Sequence, residues 1–155
     1  MNALLIGLGT LLACQLSFAL VTTFIIQLVV PLIRKGYVGR SLWKNIAIMT
    51  IVTLLTAAGH LIQIALWAIT LLWVGEMSTF ERAFYFSAEN YTALGYGDIK
   101  VSEQWRLLGP LEAINGLLQF GISTAVMFAI LSRLLATRLG LREQVDGAAV
   151  TDRGE

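Results

Sequence analysis

The sequence predicts an all-α membrane protein, with three transmembrane helices and a re-entrant helix between the second and third. Three observations predict it. Of 155 residues, 57% are hydrophobic and only 14% charged, and the mean hydropathy is +0.74. A soluble domain of this size needs far more charged surface. Three apolar stretches each exceed the roughly 20 residues that a helix needs to cross a bilayer. A fourth is too short to cross, opens on a helix-start signature and closes on glycines.

The first long stretch covers residues 3–33 without one charge. It reads as a span and not as a cleaved signal peptide, because no Lys or Arg precedes Arg34 and its apolar run is too long. The second covers residues 46–74, also uncharged, and the third residues 111–132, with Glu112 as its only charge. Between the first two lie Arg34, Lys35, Arg40 and Lys44, and after the third lie Arg133, Arg138, Arg142 and Arg153. The segment between the second and third holds only Arg82, Lys100 and Arg106. The excess of basic residues puts the first loop and the C-terminus in the cytoplasm and the N-terminus outside. That outer segment also carries Glu76, Glu81, Glu89, Asp98, Glu103 and Glu112. Six acidic groups against three basic ones would concentrate cations at an outer vestibule.

Composition removes most enzyme chemistry. One cysteine, Cys14, and one histidine, His60, supply neither a disulfide nor a multi-ligand metal centre, and no basic cluster suggests nucleic-acid binding. No constellation of nucleophile, base and carboxylate points at a shared site, so the chain is not expected to be an enzyme. No span repeats arginines as a voltage sensor does.

Residues 78–92 form the short stretch. Ser78-Thr79-Phe80-Glu81 matches the S/T-x-x-E capping box, and helical spacing continues through Phe84, Ser87 and Tyr91. Gly95-Tyr96-Gly97-Asp98 is poor helix sequence. Irregular backbone at membrane depth survives only inside protein or beside water. The second span, the dipping helix, this strand and the third span therefore belong to one unit. Glycines let successive carbonyls turn toward one axis, where they replace the hydration shell of a cation.

At these residues a resemblance appears. Ala93-Leu94-Gly95-Tyr96-Gly97-Asp98 resembles the T-V-G-Y-G-D selectivity filter of potassium channels. Ser87-Ala88-Glu89 stands where simple bacterial members carry a serine and a filter-supporting glutamate. Gly116-Leu117-Leu118-Gln119-Phe120-Gly121 is similar to their glycine-containing inner helix. The resemblance covers about residues 46–138 and implies three parts. Residues 1–45 are an extra N-terminal span and a cytoplasmic loop, 46–138 the pore domain, and 139–155 a short disordered tail. It implies a homotetramer in the cell membrane that conducts potassium ions, with no cofactor. Carbonyls of Ala93, Leu94, Gly95 and Tyr96 would be the ion ligands, with Gly95 and Gly97 permitting the conformation. Tyr85, Glu89 and Asp98 would support the filter, Asp98 being hydrogen-bonded to Glu89. Leu117, Phe120 and Thr124 would line the cavity, and Gly116 and Gly121 are hinges or packing glycines.

Two departures stand out. Ala93 occupies the position of a filter threonine, so the innermost ion site loses a hydroxyl. Phe86 replaces an aromatic residue with a hydrogen-bonding edge. His60, midway along the second span, is either a pH sensor or a neutral histidine bonded to a neighbouring helix. Glu112 and Asn115 brace the dipping helix, through Arg82, or face interfacial water. The leading reading is a passive potassium-selective channel. The competing readings are a weakly selective cation channel and a non-conducting scaffold or regulatory subunit.

Overall fold

The computed structural model describes residues 2–35 and 41–151. Arg40 of the first loop and Arg153 of the tail lie outside the described residues. Four helices follow in order: α1 (Asn2–Arg34), α2 (Leu42–Trp73), α3 (Phe80–Tyr91) and α4 (Leu108–Thr151), with no strand among the described residues. Three stretches are long and apolar enough to cross a membrane, namely Asn2–Ile33, Leu42–Trp73 and Leu108–Ala136. The all-helical membrane fold expected from the sequence is the fold found.

Two boundaries differ from the sequence reading. The cap of α3 is Thr79, not Ser78: its Oγ1 accepts from Arg82 N at 3.4 Å. Glu81 thereby falls at the second helical position, one residue short of where a capping box needs its carboxylate. The tail expected to be disordered continues α4 to Thr151, in a stretch rich in the helix formers Leu, Arg, Glu, Gln and Ala.

Apolar composition explains why each long helix forms in lipid, where every backbone polar group must be satisfied within its own segment. The ends of α2 carry Trp43 and Trp73, 78% and 75% exposed. Thirty residues of helix separate them by about 45 Å, the thickness of a bilayer with its headgroup layers, and tryptophan favours both interfaces.

Contacts fix the arrangement. Thr10 and Thr70 meet at 3.1 Å and Gln63 Nε2 donates to Cys14 O at 2.9 Å, so α1 and α2 run antiparallel. Gln119 Nε2 donates to Gln15 Oε1 at 2.8 Å, and Gly7 of α1 lies against Leu111 of α4, so these two run parallel. Gly59 of α2 admits the same closeness, since a Cβ there would sit 3.1 Å from Val21 Cγ1. The short α3 packs between α2 and α4.

Two apolar clusters result. One joins Cys14, Ile64, Trp67, Leu71, Met77, Ala83, Phe86, Tyr91 and Leu108. The other joins Ile25, Val29, Val52, Ile130 and Leu134 at the opposite end of the long helices. Along those helices the two clusters are separated by a belt of polar side chains: Gln15 and Ser17, His60 and Gln63, Asn115, Gln119 and Ser123. Gln63, Asn115 and Gln119 are almost wholly buried. Through this belt α1 shares one interior with the other three helices.

Candidate functional site

The site is built on the end of α3. Thr92 closes that helix, its hydroxyl donating to Ala88 O at 2.7 Å and its N–H bonding the same carbonyl at 3.1 Å. Beyond it the backbone alternates. Ala93, Gly95 and Gly97 have φ of 56°, 59° and 75°, while Leu94 and Tyr96 between them keep negative φ. Alternating handedness turns successive N–H groups to one side of the chain and the carbonyls to the other, the geometry of a backbone nest.

The hydrogen bonds follow that pattern. Ala93 N donates to Asn90 O at 2.9 Å, and Leu94 N and Gly95 N donate to Glu89 O at 2.9 and 3.3 Å. Tyr96 N donates to Glu89 Oε1 at 3.0 Å. Four consecutive amides thus face the end of α3, three of them on Glu89, which is itself buried. Among the described residues no donor meets the carbonyls of residues 93–96. The side chains of Leu94 and Tyr96 are exposed.

The two carboxylates expected to meet have separate partners. Glu89 is committed to Tyr96 N–H, whereas Asp98 accepts from Tyr85 OH at 3.3 Å through Oδ2 and from Ile99 N at 3.0 Å through Oδ1. Among the described residues the expected Glu89–Asp98 hydrogen bond is not formed, and these contacts stand in its place. Loss of hydration, then the Asp98 and Glu89 carboxylates, push the Tyr85 phenol up, which keeps its O–H as a donor. Phe86, which has no donor, is buried in the apolar cluster.

A second tie steadies the loops on either side. Glu76, just after the turn at Gly75 (φ 79°), accepts from Ser102 N at 2.8 Å and Ser102 Oγ at 2.6 Å. Glu103 pairs with Arg106 at 2.8 Å. Glu112 does not join the other acidic residues that follow α2: it is fully buried near Ser87 of α3, not Arg82, and neither its oxygens nor Ser87 Oγ has a hydrogen-bond partner among the described residues.

On α4 the five sequence candidates divide. Gly116 is buried and lies so close to α3 that a Cβ would collide with the Tyr91 carbonyl, which makes it a packing glycine. Gly121 has nothing within 4 Å of where a Cβ would be. Leu117, Gly121 and Thr124 lie on the face that α1, α2 and α3 leave uncovered, whereas Phe120 turns partly inward, its ring 4.6 Å from that of His60. His60 itself meets Tyr91 OH at 2.9 Å and Ser123 Oγ at 3.3 Å.

Sequence reasoning missed Asn90, Tyr91 and Ser123. A signal for the last existed: Glu112, Asn115, Gln119 and Ser123 recur at helical spacing on one face of an otherwise apolar span.

Residues 59–133 match a family model described as an ion channel. That stretch, a little under half of the chain, takes in the second half of α2, all of α3, the alternating segment and nearly all of the spanning part of α4. It leaves out α1. No curated protein and no solved structure matches the chain. Over residues 59–133, therefore, what the chain is similar to is an ion channel, and its alternating backbone segment lies wholly within the matched stretch.

Proposed function

We propose that four copies of this chain form a potassium-selective channel in the cell membrane, with residues 93–97 as the ion filter. The observation that carries the reading is the one-sided backbone of Ala93, Leu94, Gly95 and Tyr96. Their amides are all satisfied by Glu89 and Asn90, and their carbonyls have no partner within the subunit. Unpaired carbonyls at membrane depth are costly unless something polar meets them. A permeant cation is such a partner, and rings of carbonyls replace the water shell of potassium. One chain supplies one strand, so closure around an axis needs symmetric copies. The C-terminal end of α3, beside the segment, adds a partial negative charge that favours a cation.

The bias of basic residues puts the N-terminus outside and the C-terminus in the cytoplasm. With Glu112 buried, Glu76, Glu81 and Asp98 supply the acidity of the outer mouth. Ala93 favours weaker selectivity as the second reading, because it brings no hydroxyl to the innermost site.

Purified protein in a planar bilayer, recorded in a potassium/sodium gradient, tests all of this. A reversal potential near that of potassium supports the first reading, and one near zero the second. Absence of current would leave the chain as a scaffold or regulatory subunit. Mass measurement in lipid that finds only monomer or dimer would remove the shared pore.

A further inference from the structure

We propose that His60 is a positioning residue that ties the end of α3 to α4 through a hydrogen-bond chain running in one direction. The direction follows from counting protons. Ser123 Oγ reaches Phe120 O at 3.0 Å, closer than the 3.3 Å to His60 Nε2, so its one proton is assigned to that carbonyl, which also accepts from Thr124 Oγ1 at 2.8 Å. Toward His60 Nε2, 3.3 Å away, it is therefore an acceptor, and Nε2 carries the ring proton. A neutral imidazole then has a bare Nδ1, and this nitrogen accepts from Tyr91 OH at 2.9 Å. The chain reads Tyr91 O–H to His60 Nδ1, His60 Nε2–H to Ser123 Oγ, and Ser123 O–H to the Phe120 carbonyl. Bonds aligned in this way polarise one another.

The ring is held in place for this task. Phe18 of α1 lies 5.3 Å from the imidazole centroid and Phe120 of α4 lies 4.6 Å from it. Tyr91 is fixed at both ends, its hydroxyl on His60 and its carbonyl against Gly116. It is wholly buried and stands two residues before Ala93. A shift of α4 past α2 must therefore stretch the Nε2 to Ser123 bond or drag Tyr91, and with Tyr91 the start of the alternating segment.

The chain also has a built-in point of failure. A second proton on the imidazole turns Nδ1 into a donor that faces the Tyr91 O–H. Among the described residues that hydroxyl has no other acceptor. The titratable groups around Tyr91 are His60 of α2, Cys14 of α1 and Glu112 of α4. Acidification that reaches His60 thus turns the bond round: Tyr91 Oη must accept from Nδ1–H, the phenol proton loses its partner, and the aligned chain ends there.

The test uses the full chain in lipid vesicles. His60 is the only histidine, so ring-15N-histidine labelling gives one pair of nitrogen resonances. We expect a protonated Nε2 and a bare Nδ1 at neutral pH, with Ser123→Ala releasing the preference into a tautomer mixture. A protonated Nδ1 in the wild-type protein would overturn the chain. The functional arm, which rests on the channel reading, follows potassium flux from the same vesicles against pH. Wild-type flux should change over the pH range in which the imidazole resonance titrates. Tyr91→Phe should alter flux roughly three- to twentyfold at neutral pH and flatten that profile. A pH profile identical in wild type and Tyr91→Phe overturns the coupling. Absence of wild-type flux defeats the channel reading, while the tautomer still decides the hydrogen-bond chain.

Discussion

Glu89 holds Tyr96 by its backbone: the carboxylate accepts the Tyr96 N–H at 3.0 Å from a buried position one turn back in α3. The same residue's carbonyl takes the amides of Leu94 and Gly95. Truncating the side chain leaves a buried donor unpaired, which costs about 1–3 kcal/mol.

The first prediction follows directly. Glu89→Ala should shorten the conductive dwell of single channels without preventing assembly. Glu89→Gln, which keeps a side-chain carbonyl at that place, should retain most of it. Equal dwell times in all three proteins would remove the side chain from the site.

Ala93 carries a left-handed backbone (φ 56°) without being glycine, a conformation that costs L-residues about 1–2 kcal/mol. Ala93→Gly should therefore raise thermal stability in lipid or detergent. Ala93→Thr adds a hydroxyl to the innermost site of the proposed filter but places a β-branched residue at positive φ, where it is most strained. It should strengthen block by internal barium while lowering stability. Identical barium affinity in wild type and Ala93→Thr would mean that residue 93 does not line the innermost site.

Gly116 and Gly121 should respond differently to one methyl group. At Gly116 the added carbon meets the Tyr91 carbonyl, and overpacking of this kind costs about 1–3 kcal/mol. Gly116→Ala should lower the melting temperature and reduce flux. Gly121→Ala meets nothing in the chain within 4 Å, so its melting temperature should match wild type. A reversed order in thermal scans would contradict the packing described for α3 and α4.

Gln63 bonds Cys14 O and Ser17 Oγ of α1, each at 2.9 Å, and Asn115 of α4 at 3.4 Å. Cys14 is the only cysteine and is fully buried, so its maleimide labelling reports opening of α1 away from α2. Interhelical hydrogen bonds in membranes are worth about 0.6–1.7 kcal/mol, which corresponds to roughly three- to twentyfold in an opening equilibrium. Gln63→Ala should accelerate labelling by that factor. Unchanged labelling would mean that α1 is held by apolar packing alone.

Much of the architecture was legible because the bilayer simplifies the problem. Long uncharged runs in a chain this apolar have few alternatives to helix, and the two glycines of residues 95–97 announced irregular backbone. The partner of Glu89 was not legible, because a backbone amide leaves no signature in residue types. The positive φ of Ala93 was hidden for the same reason, since alanine normally avoids that region. The cap of α3 was misplaced by one residue because Ser78 and Thr79 are both competent caps, and only the entry angle of the chain chooses between them. His60 was recognised as polar in an apolar span, yet its partners lie 31 and 63 residues away. Pairings at that separation are set by how the helices cross, not by local pattern.

The polar belt between the two apolar clusters bears on how the chain enters a membrane in the first place. The face of α4 that carries Glu112, Asn115, Gln119 and Ser123 is a poor substrate for release into lipid alone, because such groups raise the free energy of insertion. The hairpin of α1 and α2 leaves the ribosome earlier and carries the complementary face, with Gln15, Ser17, His60 and Gln63. The first two helices thus act as a template for the last, and α4 exchanges an aqueous or translocon environment for a prepared protein surface.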